Sequence, residues 1–139
     1  MKLIKLLFSK QFRPYIVTGF ILSTIVILGA TLYPSDFSMP TTIWDYDKIG
    51  HAMMFLVWTL IFGLFLFVLK NNKPSLVLIF VVSASFGLLI EVLQFILPAG
   101  RSAELWDFIA DIIGSGIAIT LLYQIFRFSN REERSTPVN

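Results

Sequence analysis

Four long apolar runs, at residues 15–33, 47–69, 75–97 and 105–126, alternate with short polar stretches. Each holds about 20 apolar-dominated residues, enough to cross roughly 30 Å of hydrocarbon. A backbone in lipid has no water to bond, so runs of this length are predicted to be helices. Pro34 closes the first run, the basic turn around Lys70, Lys73 and Pro74 separates the second from the third, and Pro98 with Gly100 marks the turn into the fourth. The expected fold is an all-α integral membrane protein, a four-transmembrane-helix bundle. Its parts are a basic N-terminal segment at 1–13, the membrane domain at 14–126 and a polar tail at 127–139. The tail shows no apolar period and is expected to lack order at its end. The first run is read as a retained span. It is long for the apolar core of a signal peptide, and no small-x-small cleavage pattern follows it.

Composition agrees. Of 139 residues, 56% are hydrophobic and 14% charged, and a soluble domain of this size cannot hide four such runs. With no cysteine in the chain, disulfides and thiolate metal sites are excluded.

The basic residues flank the runs, so they read as topology signals and not as a nucleic-acid footprint. Lys2, Lys5, Lys10, Arg13, Lys70, Lys73, Arg127, Arg131 and Arg134 fall on one face, nine of the eleven, and Lys48 and Arg101 on the other. The positive-inside rule then puts both termini in the cytoplasm. Leu3, Ile4, Leu6, Leu7 and Phe8, interleaved with the N-terminal lysines, fit either an interfacial helix or a plain basic flank.

Seven of the nine acids go the other way, to the outer face: Asp36, Asp45, Asp47, Glu91, Glu104, Asp107 and Asp111. Apolar packing needs no carboxylate, and an ionisable group inside a membrane segment is a functional-site hypothesis by default. On the second run Asp47 and His51 are four apart, on the third Glu91 and Gln94 three apart, and on the fourth Asp107 and Asp111 four apart; each spacing shares a helix face. Depth agrees as well. Glu91 precedes Leu97 by six residues and Asp111 follows Leu105 by six, each roughly 9 Å along a helix. Ala110, Gly114 and Ala118 on the fourth run, and Ser83 and Gly87 on the third, provide small faces for close approach. The polar face is therefore expected to point inward, with Glu91 meeting His51 and Asp111, and with Arg101 pairing Asp107 or Glu91. Leu66 is expected to face lipid. Trp44 and Trp106 fit an interfacial belt.

The expected binding set is Asp47, Lys48, His51, Glu91, Gln94, Arg101, Asp107 and Asp111, with Glu91, His51 and Asp111 as the catalytic candidates if the protein is an enzyme. A structural reading stands beside this one. Asp47 and Asp107 also suit helix N-termini, where the dipole favours acids, and the whole set can be a structural network. Glu91 resists that reading, because it lies in the C-terminal half of its helix. Carboxylates with one histidine, His51, can hold a hard divalent cation, but no metal is expected, since no ligand-dense motif such as a histidine pair is present. The sequence names no cofactor.

Asp47-Lys48-x-x-His51, Glu91-x-x-Gln94, and Gly100-Arg101 followed by Asp107 and Gly114 resemble the VanZ-like family of small bacterial membrane proteins over residues 47–116. In that family's pattern asparagine stands at the place of Asp111 and tyrosine at that of Phe55. The family is named for a protein linked to reduced sensitivity to teicoplanin, a glycopeptide. The resemblance implies a cell-envelope role at the outer leaflet, with membrane lipid as surroundings and a lipid headgroup, a lipid-linked cell-wall precursor or a glycopeptide as partner. The alternatives are a membrane-embedded hydrolase or transferase, with Arg101 and Lys48 binding an anion, a small transporter, and a structural subunit of an oligomer. Against the transporter, the acids lie toward one end of the spans and no repeat with broken helices is seen.

Overall fold

A computed structural model describes residues 11–32, 44–70, 74–97 and 103–135. They form four helices: α1 (Arg13–Leu32), α2 (Trp44–Lys70), α3 (Leu76–Ile96) and α4 (Leu105–Ser135). Among the described residues there is no strand. Arg13–Leu32, Asp47–Leu69, Leu76–Ile96 and Leu105–Phe128 are each long and apolar enough to cross a membrane, and the chain reads as a multi-pass membrane protein. The basic segment at 1–10 and the loops around Asp36, Lys73 and Arg101 lie outside the described residues.

The helix ends follow from local chemistry. The Ser75 hydroxyl caps α3 by accepting from the Leu78 N–H at 3.3 Å. At the other end Leu97 has φ −80° and ψ 135°, the extended conformation that a following proline imposes, here Pro98. Its N–H still closes onto the Leu93 carbonyl at 2.8 Å. The Glu104 carbonyl starts α4, accepting from the N–H groups of Asp107 at 3.0 Å and Phe108 at 3.3 Å.

Two boundaries differ from the sequence expectation. α2 starts at Trp44, one turn before Asp47. α4 runs on to Ser135 through what the pattern marks as polar tail. That stretch is rich in arginine and glutamate, which are good helix formers. A helix already nucleated extends at little cost, and the first breaker after Phe126 is Pro137.

α2 is the central element. It packs most extensively on α4 and also touches α1 and α3. Its aromatic residues make the core: Trp58 stacks on Phe86 with ring centroids 4.6 Å apart, and Phe20 on Phe65 at 4.5 Å. Phe55, Ile79, Ile90 and Leu122 are fully buried around them. The Trp58 indole N–H finds the Thr24 hydroxyl at 2.9 Å.

Helices α2 and α4 run parallel and close together because glycine faces the contact. A Cβ on Gly114 would run into the Ala52 carbonyl, lying 2.8 Å from its carbon. Likewise a Cβ on Gly63 would run into the Leu122 side chain. Ala110 and Ala118 are buried beside Gly114, so the small row faces inward as the sequence implies. Exposed Ile21, Leu22, Val77, Val81, Phe95 and Ile113 give the outer surface an apolar coat. Leu66 does not belong to that coat. It is partly buried against the core, because α2 is covered on several sides by its neighbours.

Candidate polar pocket

The starts of α2 and α4 and the ends of α1 and α3 lie together, and the polar residues gather there in layers. At the mouth, Lys48 Nζ on α2 donates to Asp107 Oδ1 at 2.8 Å and to Glu104 Oε2 at 3.1 Å. One layer deeper, His51 Nδ1 lies 3.0 Å from Asp111 Oδ1, and His51 Nε2 lies 3.9 Å from Asp107 Oδ2. Asp107 thus joins the layers, one oxygen on Lys48 and the other toward the imidazole.

α3 closes the pocket. Glu91 Oε2 accepts from the backbone N–H of Glu104 at 2.8 Å. Glu104 therefore ties α3 to the head of α4 through its N–H, while its carboxylate holds Lys48. Asp111 Oδ2 faces α3 at Gly87, where a Cβ would stand 3.0 Å from it. Gln94 turns the other way and donates through Nε2 to the Thr31 carbonyl on α1 at 3.0 Å.

Below this level the Thr59 and Ser115 hydroxyls share a hydrogen bond at 3.1 Å. The polar column stops there, at the apolar floor of Phe62, Leu122 and Phe126.

The sequence reading anticipates most of this convergence. His51, Glu91 and Asp111 come from three helices, and one ligand atom of each lies within 4.8 Å of the other two. Asp47, which is exposed, forms a similar set with His51 and Asp107. Two assignments change, and a third falls on a residue outside the described ones. Lys48 is engaged by two carboxylates, which leaves it poorly placed to serve as an anion site. Gln94 bonds α1 and has no described hydrogen bond to the acids. Arg101 lies outside the described residues, and Asp107 and Glu91 are bonded by Lys48 and the Glu104 N–H.

Several contributors were not singled out as site residues: Glu104, Thr31, Thr59 and Ser115. Ser115 is four residues after Asp111 and Thr59 eight after His51, so helical spacing could have flagged both. Thr31 acts through its carbonyl and Glu104 ties down Glu91 through its N–H, contacts that no side-chain pattern encodes, although the Glu104 carboxylate also holds Lys48.

Three buried side-chain oxygens have no hydrogen-bond partner among the described residues: Glu91 Oε1, Gln94 Oε1 and Asp111 Oδ2. Such atoms are rare in native interiors and each calls for an explanation. The arrangement offers two kinds of chemistry. The free oxygens accept hydrogen bonds or ligate a cation, and the imidazole, held by a carboxylate through Nδ1, is oriented for proton transfer.

A family model described as VanZ/LLP1 matches residues 3–127. The chain belongs to the VanZ/LLP1 family. The match takes in every residue of the pocket, as the resemblance of its three short motifs implies. No match was found among curated proteins, and none among solved structures. In this VanZ/LLP1 chain Asp111 and Phe55 are neighbours. Both border the Gly87 position, Asp111 Oδ2 at 3.0 Å and Phe55 Cε1 at 3.4 Å from where a Cβ would be. Phe55 is fully buried and packs on Trp58 and Phe86.

Proposed function

We propose that this VanZ/LLP1 protein acts in the bacterial cell envelope by holding a polar headgroup, of a membrane lipid or a lipid-linked cell-wall precursor, in the pocket between α2, α3 and α4. The observation that carries this reading is the pair of orphaned oxygens on the pocket's carboxylates, Glu91 Oε1 and Asp111 Oδ2. Each unsatisfied buried group costs about 1–3 kcal/mol. A partner that donates hydrogen bonds, through hydroxyl or ammonium groups, removes that cost and is selected by it. The nine-to-two division of lysine and arginine supports a pocket on the outer leaflet, with both termini cytoplasmic. A protein that holds a precursor there changes what a glycopeptide of the teicoplanin type can reach, so glycopeptide sensitivity is the phenotype to measure.

A second reading is favoured by one contact, the buried pair of His51 and Asp111. An imidazole oriented in this way serves as general base in a membrane-embedded hydrolase or transferase acting on a lipid-linked substrate. One experiment separates the two. The protein in lipid nanodiscs is given a lipid-linked disaccharide. Saturable binding without turnover supports the headgroup reading, turnover lost in His51→Gln supports the enzyme, and neither result leaves both without support.

A further inference from the structure

We infer that His51, Glu91 and Asp111 form a binding site for one divalent cation of the class that takes mixed imidazole and carboxylate ligands, manganese or zinc. The geometry comes first. One ligand atom from each residue lies within 4.8 Å of the others. Ligands about 2.1 Å from a common ion are at most about 4.2 Å apart, so small side-chain adjustments close the set. His51 Nδ1 and Asp111 Oδ1 already sit 3.0 Å apart, the spacing of adjacent ligands on an octahedral ion at about 2.1 Å.

A second observation is independent of that clustering. Glu91 and Asp111 are 6% and 1% exposed, yet each keeps an oxygen without a partner, Glu91 Oε1 and Asp111 Oδ2. Asp111 Oδ2 points toward α3, at Gly87, one turn along that helix from Glu91. The missing Cβ of Gly87 keeps the space between α3 and α4 open at that oxygen.

Charge favours the same occupant. Ionised, Glu91 and Asp111 bring two negative charges to a depth where lone charges are expensive. Lys48 lies a layer nearer the mouth, bound to Glu104 and Asp107. A divalent ion with two carboxylates and a neutral imidazole makes a neutral group. The set of Asp47, His51 and Asp107 is the weaker candidate, since Asp47 is exposed and Asp107 is bonded to Lys48. The sequence expectation of no metal rested on the lack of a local motif. Three ligands drawn from three helices leave no such motif.

This site shares the pocket of the headgroup reading without depending on it, because metal uptake is read on delipidated protein with no headgroup present. Loss of headgroup binding with metal retained overturns only the former, and the converse only this one. The test strips the full chain in detergent with a chelator, adds manganese alone, and measures uptake by elemental analysis and the coordination sphere by pulsed electron paramagnetic resonance. The expected result is one ion per chain, with echo modulation from an imidazole nitrogen. Glu91→Gln and Asp111→Asn are each expected to weaken uptake by about 100-fold or more, and Asp47→Asn by less than about 3-fold, set against the roughly 10–100-fold lost with a supporting partner. Wild-type protein that takes up no more ion than a variant carrying both Glu91→Gln and Asp111→Asn, or that shows no nitrogen modulation, overturns the site. The wild-type spectrum decides this even if a variant fails to fold.

Discussion

His51 Nδ1 lies 3.0 Å from Asp111 Oδ1, and each side chain is only 1% exposed. The pair links parallel helices α2 and α4 at the depth where Glu91 enters from α3. Removing one partner of such a pair leaves the other buried and uncompensated, at a cost of about 3–5 kcal/mol. His51→Leu and Asp111→Leu are therefore each expected to destabilise by that amount, and the double variant by less than their sum. Unfolding in mixed detergent micelles, run as a double-mutant cycle, measures the coupling. Additive losses would contradict the pair.

At the mouth, Lys48 serves two carboxylates. Lys48→Met is expected to cost about 1–3 kcal/mol by leaving Asp107 buried without its donor. Adding Asp107→Asn in that background should recover part of the loss, read by the same unfolding assay. A double variant weaker than Lys48→Met would show that the lysine acts on something else.

The glycines of α4 give a matched comparison. Gly114→Ala puts a methyl into the Ala52 backbone, which cannot step aside, and is expected to cost about 2–3 kcal/mol by overpacking. Gly116, two residues on, has nothing within 4 Å of a Cβ. Gly116→Ala is expected to be neutral or to stabilise by up to about 1 kcal/mol through helix propensity. The opposite order would refute the close α2–α4 contact.

Orientation is tested by reporter fusions. Fusions at Lys73 and at Asn139 are expected to report the cytoplasm, and one at Ser38 the outside. An outside signal at Asn139 would remove the outer-leaflet placement of the pocket.

Much of this arrangement was legible in the sequence because membrane helices impose simple rules. Four apolar runs fix the spans, and acids that apolar packing does not need mark the inward face. Equal distances of Glu91 and Asp111 from their helix ends placed them at one height with His51, as the structure has them. What could not be read were contacts made by the backbone. The Glu104 N–H that holds Glu91 and the Thr31 carbonyl that takes Gln94 depend on how the helix ends pack. That Lys48 pairs with Asp107 and Glu104 was likewise not readable from charge alone, since Arg101 stands nearer to both acids in the sequence. Leu66 was misplaced because an all-apolar helix carries no periodic signal to separate its lipid face from its buried one.

The headgroup reading turns on Glu91, whose Oε1 is buried without a partner. Native mass spectrometry on protein extracted from membranes tests it most directly, comparing wild type, Glu91→Gln and the exposed control Val81→Ala at matched expression. Wild type and Val81→Ala are expected to carry a bound lipid or lipid-linked species that Glu91→Gln, folded and inserted, has lost. Equal retention by all three proteins would contradict the pocket's role.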